Sequence, residues 1–87
     1  VSASRPSVPL DVDVRGMTLD EAIAQVDIYL ADATLAGLNE VSIIHGKGTG
    51  ALRAAVQQSL RKNKFVKKFR LGVYGEGEDG VTIAELR

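Results

Sequence analysis

The chain has 87 residues, 45% of them apolar and 25% charged, with no cysteine and no net formal charge. That length supports one small domain with a core of its own and excludes two. Without cysteine there is no disulfide framework or thiolate metal site, no apolar run reaches the roughly 20 residues that span a bilayer, and no basic start, apolar run and cleavage site mark a secretory leader, so the reading is a cytoplasmic protein without a membrane partner.

Residues 1–9 hold two prolines and three serines and read as a flexible leader or linker, with the domain over 10–87. Leu10 to Arg15 alternates, with Leu10, Val12 and Val14 inward and Asp11, Asp13 and Arg15 outward, the pattern of a strand with one wet face. Gly16 ends it. Thr18 to Ala36 reads as a long helix. Thr18 and Glu21 are spaced for a capping box, and Leu19, Ala22, Ile23, Val26, Leu30 and Ala33 form an apolar stripe. Gly37 stands where helices close, with Leu38 over the last turn. Glu40 to Ile44 is a short β-branched strand, and strand, helix and strand make a parallel, right-handed βαβ unit.

A glycine-rich turn, Gly46 to Gly50, then leads into a second helix over Ala51 to Lys62, with Leu52, Ala55, Val56 and Leu60 inward and Asn63 at its end. Val66 to Tyr74 alternates again, with Phe69, Leu71 and Val73 inward and Lys68, Arg70 and Tyr74 outward. Gly75 to Gly80 is a turn of glycines and acids, and Val81 to Leu86 pairs back as a hairpin. No internal repeat is present. The order βαβαββ, with polar faces on the first and third strands, predicts an α/β two-layer sandwich: a four-stranded mixed sheet with two helices on one face.

Charge is unevenly spread. Residues 1–40 carry seven acids and two bases, and residues 76–87 carry four acids and one base. The stretch between them holds eight bases and no acid: Lys47, Arg53, Arg61, Lys62, Lys64, Lys67, Lys68 and Arg70. Such a block suits a phosphate-rich partner, although lysine on helices and strands also serves solubility.

The residues that can carry chemistry gather at strand ends. Parallel strands open their carboxyl ends onto one crevice, which predicts that Asp13 and Arg15 meet His45, the only histidine. Gly46, Gly48 and Gly50 let backbone N–H groups approach an anion. The second helix points its positive end at the same place. Lys47 adds a full charge, and Thr49 supplies a hydroxyl or a cap.

The turn formally fits the G-x-G-x-x-A dinucleotide pattern, but the acid expected about 20 residues on is missing. An imidazole can move a proton near neutral pH, so His45 is the natural general acid or base, unless it is a structural histidine bonding the backbone. Asp13 can orient His45, hold a divalent cation such as magnesium or manganese, or pair with Arg15. Arg15 can clamp a phosphate through its planar fork. Asp11, Glu76, Glu78 and Asp79 read as surface acids with some capacity for metal.

At these residues the chain resembles the small MutS-related (Smr) domain, in the branch found at the carboxyl end of the second bacterial MutS paralogue. Val12-Asp13-Val14-Arg15 matches the family's LDxR-type motif, with valine for the leading leucine. His45-Gly46-Lys47-Gly48 matches HGxG, extended to HGKGTGALR. Gly75-Glu76-Gly77 followed by Gly80-Val81-Thr82 resembles the closing segment. The resemblance implies a βαβαββ fold, nicking of DNA and, in relatives, of RNA, and an upstream ATPase and dimerisation region as partner. It also implies links to recombination intermediates, hence to DNA repair, and to stalled ribosomes.

The expected function is therefore a nicking endonuclease domain acting on DNA phosphodiesters, including branched recombination intermediates, and suppressing recombination within a longer protein. Asp13, Arg15, His45 and Lys47 would be catalytic; Gly46, Gly48, Thr49 and Gly50 would bind phosphate; and Arg53, Arg61, Lys62, Lys64, Lys67, Lys68 and Arg70 would track the nucleic acid. The rival is a non-catalytic module that binds branched DNA or ribosomal RNA in ribosome rescue.

Overall fold

A computed structural model describes residues 8–75 and 78–87. Most of the expected leader, with Glu76 and Gly77 of the acidic turn, lies outside the described residues. The elements run β1 (Asp11–Asp13), α1 (Leu19–Leu35), β2 (Glu40–Ile44), α2 (Ala51–Lys62), β3 (Val66–Leu71), a single 3-10 turn (Glu78–Gly80) and β4 (Val81–Leu86). They form one four-stranded mixed sheet in the order β1-β2-β4-β3, with β1 parallel to β2 and β4 antiparallel to both neighbours. The two helices pack on each other and on one face of the sheet.

The capping box at α1 forms in full: Thr18 accepts from the Glu21 backbone N–H and Glu21 accepts from that of Thr18. Replacing Thr18 with alanine strands one of these donors, and the helix should lose about 1 kcal/mol. A urea titration would show this as a lower midpoint at unchanged slope. The helix closes through Gly37 N–H to Thr34 and Leu38 N–H to Ala33, a Schellman pair.

The core is built from alternate residues. Val41 and Ile43 of β2, Ala84 and Leu86 of β4, and Val14 just past β1 meet Ala22, Val26, Leu30 and Ala33 of α1 and Val56 and Leu60 of α2. Burying a side chain such as Leu30, Ile43 or Leu60, each 1% exposed or less, contributes about 1.5–3 kcal/mol.

Several apolar positions differ from the expected inward set. Leu10 and Leu19 are exposed, and Tyr29 takes a core place that the stripe omitted. Its hydroxyl donates to the Pro9 carbonyl. Burial, aided by Asp11, pushes that hydroxyl up to about 12, so it remains a donor. Val8 packs on the core as well, so the chain is already fixed before position 10. β3 ends at Leu71 rather than Tyr74, leaving Leu71 and Val73 partly and Tyr74 almost wholly in solvent. It is an edge strand with an irregularity between Val66 and Lys68, so its alternation does not translate into burial.

Candidate functional site

All four strands bring an end to the side of the sheet that holds the glycine turn. β1 and β2 finish there, β3 finishes there, and β4 begins there, because Gly80 accepts from the N–H groups of both His45 and Gly46. Arg15, Lys47 and the start of α2 therefore share one edge. Gly46 sits at φ +79°, and a Cβ there would stand 3.4 Å from Arg15 Cγ. The arginine stem thus lies on the turn. A crevice of about 250 Å³ follows the turn, lined by His45 to Arg53 and by Leu19.

The start of α2 is open. Gly50 is its N-cap at φ +88°, no side chain caps it and no acid sits in the first turn. Thr49 accepts a long bond, 3.4 Å, from Ala51 N–H. α1, by contrast, has a full capping box and two acids in its first turn. An uncapped helix start with cations beside it favours an anionic guest.

His45 does not join Asp13. The register sets Asp13 against Ile44 and Val12 against Ile43. Side chains alternate across a sheet, so Asp13 faces the open side with Ile44, while His45 faces the helices with Ile43. The imidazole is 4% exposed. Its Nδ1 lies 2.9 Å from the Gly46 carbonyl and its Nε2 2.8 Å from Thr82 Oγ1, which in turn accepts from Gln57 at 3.4 Å. A carbonyl only accepts, so Nδ1 carries a proton, and in the neutral ring the Thr82 hydroxyl donates to Nε2. The expectation of an open proton-transfer group aligned by Asp13 is thus corrected: both ring nitrogens are engaged, one of them holding the turn.

Of the three roles open to Asp13, the structure has the pairing with Arg15. Its two oxygens accept the Arg15 backbone N–H at 3.0 Å and the guanidinium at 2.7–3.2 Å. The arginine hydrogen bonds hold the Asp13 carboxyl well below its ordinary range, at about 2. The Arg15 guanidinium stands on both Asp13 oxygens. Among the described residues, no three of His, Cys, Asp and Glu gather into a metal-sized group.

The depressed carboxyl sets a sign. What Asp13 adds to stability is complete above about pH 4 and vanishes as pH falls through about 2. Carbon-13 carboxyl shifts should follow this low titration, and the Arg15→Gln variant should return it toward the ordinary aspartate value.

The basic block is divided in space. Arg53 folds back to Gly50, its guanidinium 3.2 Å from a Cβ built there, and so belongs with Lys47 at the turn. Arg61 and Lys62 stand at the other end of α2, ten and eleven residues on, roughly 15 Å away, where cations also complement the helix dipole. Arg61 lies over the Phe69 ring and Lys64 over that of Phe65. Lys68 pairs with Glu85 at 3.6 Å, and Arg70 donates to the Leu71 carbonyl.

Sequence reasoning left Glu78 and Asp79 as surface acids, yet they contact the site cations. Lys47 Nζ is 3.7 Å from each, and Arg53 is 4.0 Å from Asp79. Thr82 was missed as the partner of the histidine, though its alternation with Ala84 and Leu86 places it on the helix face. A larger groove of about 540 Å³ lies between the helices near Asp27 and Phe65, away from the turn and its cations.

The Smr domain family model matches residues 12–87. The chain belongs to the Smr domain family. It is 63% identical over 81 residues to Endonuclease MutS2 of Acetivibrio thermocellus, covering 93% of this chain and 10% of that protein. It is 57% identical over 86 residues to Endonuclease MutS2 of Caldanaerobacter subterraneus subsp. tengcongensis, covering 99% and 11%. The crystal structure of the Smr domain of Thermus thermophilus MutS2 superposes with a TM-score of 0.86 at 47% identity, over 88% of this chain and 96% of that one. The chain thus spans about a tenth of the length of the curated relatives it matches. This Smr domain has the two-layer fold of the Thermus domain, and its two motifs, Val12 to Arg15 and His45 to Gly48, meet where Arg15 lies on Gly46.

Proposed function

We propose that this Smr domain is the phosphodiester-nicking module of a longer protein, acting on DNA, including branched recombination intermediates. One observation carries the reading: the Arg15 stem lies on Gly46, in the same turn that carries Lys47 and leads into the uncapped start of α2. Nicking builds negative charge on a pentacoordinate phosphorus, and donors fixed in advance around that charge are the largest source of rate. Arg15 and Lys47 supply cations, and the turn supplies N–H groups. Asp13 is a positioning residue that holds the Arg15 fork. His45 fixes the turn through Gly46. The MutS2 relatives, which are named endonucleases, support the class of chemistry. Suppression of recombination and an upstream ATPase region would belong to the longer protein.

A second reading is favoured by the engaged state of His45 and Asp13: a binding module for branched DNA or ribosomal RNA that cuts nothing. The two separate in a supercoiled-plasmid assay on the purified domain, with and without chelator. Appearance of open circles with the wild type, and their loss with Lys47→Ala, supports nicking. Binding without open circles supports the module.

Both readings use the α2–β3 edge to follow the backbone. Changing Lys62, Lys67 and Lys68 to alanine together should weaken duplex binding. It should also flatten the dependence of log affinity on log salt by about 0.7–0.9 per lost phosphate contact. A slope equal to wild type would mean that this edge faces away from nucleic acid.

A further inference from the structure

We propose that Glu78 and Asp79 form a built-in gate, standing on the cations of the glycine turn until a phosphodiester displaces them; the inference rests on the nucleic-acid reading above. The cations that would meet a phosphate are not bare in the resting domain. Lys47 touches both acids at 3.7 Å, and Arg53 reaches Asp79 at 4.0 Å. Two carboxylates thus occupy the electrostatic place of a phosphate beside the start of α2.

The contacts are of the kind that exchanges readily. All four side chains are 35% exposed or more, and the separations exceed those of a close charge-assisted hydrogen bond. The acids are carried by a single 3-10 turn, and Glu78 holds φ +54°, an unfavourable backbone angle for a residue with a side chain. The turn is nevertheless tethered in the right place. Gly80 accepts two backbone bonds from the His45–Gly46 segment, and a Cβ on it would lie 3.4 Å from Lys47 Cγ. The acids therefore cannot drift far when displaced, and they return when the ligand leaves.

A phosphodiester offers a fixed negative charge with two free oxygens, and it competes for Lys47, Arg53 and the N–H groups together. A weaker or poorly placed anion gains too little to break three pairs. The gate thus favours strands that thread a phosphate into the turn over those that brush the surface.

The test compares two variants with the same change in net charge, probed with a fluorescent single-stranded oligonucleotide. Glu78→Gln/Asp79→Asn removes the gate. Asp32→Asn/Glu40→Gln removes two exposed acids at the far end of the sheet. The gate variant should bind about 3- to 10-fold tighter than wild type, as expected for losing several weak surface pairs, and the distal variant should gain less than about 2-fold, since that charge is screened. With Lys47→Ala and Arg53→Ala both in the background, the same two acid changes should give no gain. Equal gains in both variants, or a gain that survives loss of both Lys47 and Arg53, overturns the gate and leaves the nucleic-acid reading standing. Failure of wild type and both variants to bind overturns the two together.

Discussion

Replacing Arg15 with alanine should slow plasmid nicking about a hundredfold or more, the usual effect of removing one preformed donor to a developing anion. Duplex affinity should change far less, because a single phosphate contact is one of several. The loss has two parts. The fork that meets the phosphate disappears, and the Asp13 carboxylate loses its three guanidinium bonds, keeps only the backbone N–H of position 15, and stands beside the same site as an uncompensated repelling charge. Arg15→Lys restores the charge without the fork and should recover only part of the rate. The Arg15 side chain is 61% exposed, so alanine there should leave the urea midpoint nearly in place. Full nicking by the alanine variant would remove Arg15 from the phosphoryl centre.

The second large effect is on stability. His45→Ala should destabilise the domain by about 2–4 kcal/mol. The Thr82 hydroxyl, wholly buried, would lose its principal acceptor, the Gly46 carbonyl would lose its donor, and a ring-sized hole would open under α2. Against a total of roughly 5–15 kcal/mol, that should lower the melting temperature by about 10 °C or more. Calorimetry of the pure domain measures it directly. Any nicking lost in this variant should scale with disorder of the turn. An unchanged melting temperature with abolished nicking would return the imidazole to direct contact with substrate.

Much of this molecule can be read from its residues. The Thr18–Glu21 box and the Gly37–Leu38 closure are local, and both ends of α1 follow from them. The glycine run also works locally, since few other residues tolerate the angle found at Gly46. The site was harder because it depends on which face each residue takes. That parallel strand ends share a crevice is sound for the backbone, but Asp13 and His45 have opposite parity against the Asp13–Ile44 register. Counting two from Ile43 would have put His45 in the core. The neutralised cations depend on a contact thirty residues distant, between Lys47 and the hairpin turn, which charge counts along the chain do not reveal. The strand order was equally hidden. β4 is central, and its almost unbroken burial reflects neighbours on both sides.

That central position orders the events of synthesis. β4 is the last strand of this domain to leave the ribosome, and it alone joins the β1–β2 half to β3. Its end is stitched on both sides: Leu86 N–H reaches the Asn39 carbonyl and Arg87 N–H that of Phe65. Every earlier element emerges before its keystone exists. The nascent domain must therefore wait as a βαβ fragment and a loose helix until the closing strand arrives, and removing Val81–Leu86 would leave two raw seams where one sheet should be.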